Sequence, residues 1–164
     1  MSAQHDDKTE MVKNENLWPI RCDLTAKEVS SGRWSTTQWS LNGFKLLSST
    51  QDNNSDSTPC VALELFKDER TDYRFNLSSK SPKLFLVMEN LDDSLNQNIL
   101  NQNIVTLTAS QSVAGQYMDG DYLVLSHEMP LPVQAWMEAF IGRHGELIEQ
   151  RRKKRRGAGR SSGK

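Results

Sequence analysis

The residues of this chain that could do chemistry are few and scattered: three histidines, two cysteines and four tryptophans among 164 residues. A protein metal site gathers cysteine or histidine ligands at short, repeated spacings such as C-x-x-C. Cys22 and Cys60 share no such spacing, and His5, His127 and His144 have no second ligand near them in sequence. Structural or solvent-exposed roles are expected for all three histidines. Acidic residues are plentiful but spread through turns, so no pair can be nominated as general acid and base. None of G-x-x-x-x-G-K-[ST], G-x-G-x-x-G or G-x-S-x-G occurs, and nine thinly spread glycines predict no phosphate-cradling loop. The expectation is no catalytic residue, no metal, no cofactor and no enzyme activity.

The tryptophans point elsewhere. Trp136 lies at helical spacing beside Met137 and Phe140, which predicts a core anchor. Trp34 and Trp39 are separated by an odd number of residues, so on a regular strand they face opposite ways. One of the two is then free to meet a partner, unless a bulge intervenes. Cys22 alternates with Ile20 and Leu24 and is expected to be a buried, unreactive strand residue.

The elements that must position these residues follow from periodicity. Period-two alternation predicts strands over Ile20 to Leu24, Arg33 to Leu47, Val61 to Leu65, Tyr73 to Leu77, Leu84 to Met88, Ile104 to Thr108 and Tyr122 to Leu125. The strand from Val61 and the one from Tyr73 read as a hairpin through the charged turn Asp68 to Asp72. Ser30-Ser31-Gly32 marks a turn, and Asn42-Gly43 marks either a tight turn or a bulge. Ser48 to Pro59 and Asp92 to Asn103 are polar loops, and Ser110 caps a short helix reaching toward Met118. Val133, Trp136, Met137, Phe140, Ile141 and Ile148 then adopt helical spacing behind Pro132, with Gly142 and Gly145 weakening the second half. The predicted fold is α+β: about seven mostly antiparallel strands in a bent sheet or partly closed barrel, with a C-terminal amphipathic helix.

Three segments are expected: a disordered N-terminus over 1–16, a single α+β domain over 17–150, and a disordered basic tail over 151–164. The formal net charge of -1 conceals segregation. Eight of the 20 basic residues lie in 151–164, which holds no acidic residue; the other 12 against 21 acidic ones leave the body near −9. The run Arg151, Arg152, Lys153, Lys154, Arg155 and Arg156 reads as a solubility tail or a contact for an acidic partner, nucleic acid or anionic lipid. No aromatic residue interleaves with it, so specific nucleic-acid recognition is not expected. The N-terminus has no apolar signal segment, and no apolar run approaches the roughly 20 residues that span a bilayer. A cytoplasmic protein with reduced thiols and no transmembrane segment is expected.

One ordered set of motifs carries a resemblance. Trp18-Pro19-Ile20, Arg33-Trp34 with Trp39, Glu69, Tyr73-Arg74-Phe75-Asn76-Leu77-Ser78, Tyr117-Met118-Asp119, Met129-Pro130 and the helix from Val133 to Phe140 follow one another. In that order they resemble an uncharacterised bacterial family, the domain-of-unknown-function family numbered thirty-three-oh-five, over roughly Trp18 to Arg156. The resemblance implies a genomic context beside molybdenum- or tungsten-containing formate dehydrogenase and iron–sulfur proteins. Arg74 and Asn76 are nominated as partner-binding candidates, together with Trp34, Trp39 and the run from Arg151 to Arg156.

The leading expectation is a non-catalytic accessory or assembly protein of that formate dehydrogenase system, binding the enzyme or its iron–sulfur subunits. A pleckstrin-homology-like barrel that binds phospholipid or peptide is the alternative, by fold analogy alone. Some relatives carry the label of a molybdenum-cofactor nucleotidyltransferase. That activity needs a glycine-rich nucleotide loop with an arginine and a lysine near its start, and the N-terminal region here has none. The oligomeric state is left open.

Overall fold

Trp18, Ile20 and Cys22 recur at every second position, and all three are buried in the computed structural model of the chain. The structure describes residues 10–50, 58–89, 103–118 and 120–146. The alternating residues open a long strand, β1 (Leu17–Ser31), which pairs antiparallel with β2 (Trp34–Leu46). Gly32, at φ 64°, supplies the left-handed residue of the turn between them. Asn42-Gly43 is a bulge. Asp23 pairs with Gly43 and Leu24 with Leu41, leaving Asn42 as the extra residue.

Four shorter strands complete one sheet: β3 (Cys60–Glu64), β4 (Lys83–Glu89), β5 (Ile104–Thr108) and β6 (Tyr122–Glu128). Their spatial order is β2-β1-β3-β5-β4-β6. Every pairing is antiparallel except β3 with β5, which run parallel through Leu63 and Leu107. The two edge strands come together without a hydrogen-bonded ladder, and the ring of Phe44 on β2 meets that of His127 on β6 edge-on at 5.9 Å. The sheet is thus a mixed, nearly closed barrel of six strands, and the predicted α+β class and partial barrel are observed.

The seventh expected strand is corrected. After a 3-10 turn at Lys67–Glu69, residues Arg70–Leu77 form the helix α1. Tyr-Arg-Phe-Asn-Leu alternates apolar and polar residues, but the buried positions are Tyr73 and Asn76, one helical turn apart. Phe75, which completed the apparent alternation, is 68% exposed. Without a hairpin there, the chain leaves β3 through α1 and returns as β4, and this crossover accommodates the parallel β3–β5 pair.

Two further helices follow. In α2 (Gln111–Gly115), the Ser110 hydroxyl accepts a hydrogen bond from the Val113 N–H at 3.1 Å, as expected of a cap. The C-terminal helix α3 (Leu131–His144) has Pro132 in its first turn and ends at Gly145, where φ is 89°. Gly142 does not interrupt it. Val133, Trp136, Met137, Phe140 and Ile141 form its buried stripe. Trp136 meets the Trp18 ring edge-on at 5.2 Å, and Phe140 meets Tyr73 at 6.2 Å.

The N-terminal expectation is corrected for residues 10–16. The Lys13 N–H donates to the Ser48 carbonyl at 2.8 Å, and the Thr50 N–H donates to the Met11 carbonyl at 2.9 Å. The Trp136 indole donates to the Asn14 carbonyl at 2.9 Å, so this stretch is pinned to α3 as well. Residues 1–9, most of the two polar loops (51–57 and 90–102), Ile148 and the basic tail lie outside the described residues.

Trp136→Ala removes the centre of the helix–barrel contact. Deleting a buried aromatic costs about 3–5 kcal/mol against the total of about 5–15 kcal/mol usual for a domain. A large loss of melting temperature is expected; unchanged melting would show that α3 is not docked as described.

Candidate protein-binding surface

The motif from Glu69 to Ser78 supplies most of the polar contacts that hold the helices to the barrel. The Asn76 side chain is 8% exposed as a residue and spends its whole amide on backbone. Its Nδ2 donates to the Lys83 carbonyl at 2.8 Å and to the Ala109 carbonyl at 2.9 Å, while Oδ1 accepts from the Lys83 N–H at 3.0 Å. Tyr73 accepts from the Phe66 N–H at 2.9 Å and donates to Glu69 at 2.8 Å. Burial raises both the Tyr73 hydroxyl and the Glu69 carboxyl above their ordinary pKa ranges. Asp72 accepts from the Ser110 hydroxyl at 2.7 Å, joining α1 to the cap of α2.

Two arginines one turn apart on α1 secure the end of α3. The Arg70 guanidinium donates to the carbonyls of His144 and Gly145, satisfying the helix terminus. Arg74 grips Glu138 with two hydrogen bonds at 2.9 and 3.0 Å and reaches Glu146 at 3.1 Å. The hydrogen bonds from Arg74 hold the Glu138 carboxyl below its ordinary range. Arg74 and Asn76, nominated as partner-binding residues, are thus committed inside the molecule. Among the described residues, the polar side chains of this motif act as a brace, while Phe75 between them is exposed.

The exposed surface of most interest is the far half of the β1–β2 hairpin. β1 pairs with β3 only from Leu17 to Arg21, and the Cys22 N–H makes a last bond to the Pro59 carbonyl. From Leu24 to Ser31, β1 pairs with β2 alone. About eight residues per strand at roughly 3.4 Å each give an arm of about 27 Å. Leu24, Trp39 and Leu41 root it in the core, and burial fades toward the turn. Trp34 beside that turn is 77% exposed, and Val29 is also exposed. Trp34 and Trp39 therefore face opposite ways, and the bulge at Asn42 lies beyond both.

Sequence reasoning nominated Trp34 but missed that it rides on an arm. The available signal was the thinning of apolar residues between Lys27 and Gln38, where only Val29 and Trp34 remain on either side of the Ser30-Ser31-Gly32 turn. The polar contacts of Arg70 and Asp72 left no comparable signal.

A concavity of about 430 Å³ lies beside the barrel seam and is lined by Phe44, Lys80, His127, Met129, Leu131 and Gln134 among others. The Nδ1 atom of His127 is buried there with no hydrogen-bond partner among the described residues. Among the described residues no group of three or more His, Cys, Asp or Glu side chains could hold a metal ion. Cys22 is fully buried, and burial, with Cys60 nearby, pushes its thiol up to about 12. Cys60, half-buried beside Arg21, is also raised by burial. No helix of the described residues is long and apolar enough to cross a membrane.

Fold and surface together define a small α+β barrel module, braced by its helices and carrying a projecting two-stranded arm. The family model described as Protein of unknown function (DUF3305) matches residues 24–156, and the chain belongs to that family. The match takes in the arm, the α1 motif and α3, but begins after Trp18-Pro19-Ile20. No curated protein and no solved structure gives a significant match.

Asn76→Ala leaves the Lys83 N–H and the carbonyls of Lys83 and Ala109 without partners. Each buried group so stranded costs about 1–3 kcal/mol. Asn76→Ala is therefore expected to destabilise far more than Phe75→Ala next to it, as chemical denaturation would show; equal effects would contradict the bracing role.

Proposed function

We propose that this protein is a non-catalytic accessory or assembly factor of a molybdenum- or tungsten-containing formate dehydrogenase system, acting by binding a protein partner. The observation that carries the reading is the arm, which presents a Trp34 ring 77% exposed at the end of an otherwise polar hairpin. Exposed tryptophan is costly to keep in water and is among the side chains most enriched at interface hot spots. The side chains of Glu69, Tyr73, Arg74 and Asn76, by contrast, are spent on internal contacts, which favours the arm as the binding element. The formate dehydrogenase context comes from the family's expected gene neighbourhood, and the enzyme or one of its iron–sulfur subunits is the partner proposed. The run from Arg151 to Arg156 adds electrostatic attraction to an acidic partner, strengthening encounter more than specificity. Specific nucleic-acid binding forms no part of this reading.

The test is affinity purification of the tagged full chain from its native host, comparing wild type with Trp34→Ala. A formate dehydrogenase subunit is expected with the wild type and at least tenfold less of it with Trp34→Ala, while both chains melt alike. Loss of a hot-spot residue commonly costs about 2 kcal/mol or more, which exceeds a tenfold change. Co-purification unaffected by Trp34→Ala would remove the arm from the interface. Recovery of no dehydrogenase subunit, with phospholipid or peptide retained instead, would favour the barrel-ligand alternative.

A further inference from the structure

The two long edges of the arm are built differently. On β1 the free edge runs from Asp23 to Ser31 and carries Lys27 and Glu28 at its middle. On β2 it begins at Trp34 and runs through Ser35, Thr36, Thr37, Gln38, Trp39, Ser40 and Leu41, with no charge and no proline. Among the described residues, β2 is also the last strand of the sheet on that side, and no strand pairs with its outer edge. Exposed edges of this uncharged, strand-favouring kind are templates for another strand, and proteins that must not pair there place charges or proline on them.

Symmetry shows which edge can accept a second copy. Two identical strands pairing antiparallel about a two-fold axis place the central residue opposite itself. On β1 the space beside residues up to Cys22 is filled by β3 and Pro59, so a copy can lie only against Asp23 to Ser31. The longest such pairing centres on Lys27, and the next on Glu28, so like charges meet at the axis. Centres farther out shorten the pairing. On β2, centres at Thr36 or Thr37 bring only tryptophan, serine, threonine and glutamine together. A two-fold axis at Thr37 gives the longer of these two pairings, over Trp34 to Ser40, and paired threonines across strands are a favourable match.

We propose that the chain forms a two-fold dimer by antiparallel pairing of the β2 edges of two copies, centred on Thr37. The result is a continuous four-stranded platform in the order β1-β2-β2-β1, with the charged β1 edges outermost. Trp34 and Thr37 lie on opposite faces of β2, so pairing leaves Trp34 uncovered. The two Trp34 side chains then stand on one face of the platform, about 20 Å apart from six residues at roughly 3.4 Å each. This dimer does not depend on the identity of any protein partner.

Sedimentation equilibrium or light scattering on the purified full chain tests it without a partner present. The expected mass is twice the chain mass of 18.6 kDa, falling toward a single chain on dilution. Thr37→Lys and Thr37→Glu each place like charges at the axis, and each is expected to be monomeric with an unchanged circular dichroism spectrum. Mixing the two variants restores a dimer, which a mere folding defect would not allow. A wild-type chain that stays monomeric at all soluble concentrations would overturn the proposal. So would a dimer that both variants retain, a mixture that stays monomeric, or an open-ended series of higher oligomers.

Discussion

A primary amide carries the same donor and acceptor groups as a peptide unit, and Asn76 uses them as one. Its oxygen accepts from the Lys83 N–H while its nitrogen donates to the Lys83 and Ala109 carbonyls. α1 is thereby joined to the start of β4 and to the residue just past β5, two segments whose backbone would otherwise enter a low-dielectric interior unpaired. Tyr73 and Phe140 can pack only because α1 is held in this place, and α3 in turn rests on that pair and on Trp18. The arginines of α1 then close the other end of α3, neutralising its terminal carbonyls and fixing Glu138. One short helix thus determines where the long one lies. A polar residue at the centre of a core is retained here because it satisfies three backbone groups at once.

The parts of the fold legible in sequence were those whose periodicity is strong and whose burial is one-sided. β1 near Ile20 and Cys22, β4 from Leu84 to Met88, and the stripe of α3 from Val133 to Ile141 follow directly from apolar spacing. The exception is instructive. Tyr73 to Leu77 alternates as a strand would, and the residue that makes it helical is Asn76, a polar side chain buried for its hydrogen bonds. Apolar periodicity treats a buried asparagine as surface and an exposed phenylalanine as core, so both errors fell in the same five residues. The internal bonds of Arg74 and Asn76 were hidden for the same reason, since a polar motif looks like a surface until its internal acceptors are known. Trp34 was legible only as half of a pair facing opposite ways; the length of the hairpin beyond β3 depends on where β3 stops pairing, which no local pattern records.

The arm and the barrel make opposite demands on the same two strands. At their inner ends β1 and β2 carry Ile20, Cys22 and Leu41 into a core closed by α3, and strand pairing there is supported on one face by close packing. Beyond Leu24 and Trp39 that support fades, and an isolated two-stranded ribbon is marginal in water. The bulge at Asn42 sits where one regime gives way to the other. Bulges sharpen the local twist of a ribbon and bend the bulged strand, so the arm leaves the barrel as a separately directed element. The side chains continue that division: Leu24 and Trp39 anchor its root, Ser35 donates to Glu28 across the ribbon at 2.5 Å, and Trp34 is placed where no residue of the described chain covers it. An element that gains so little from its own core persists on strand pairing and turn geometry alone. Its free-energy margin is therefore the part of the molecule most open to improvement by contact with another surface, whereas the barrel is held by its own core.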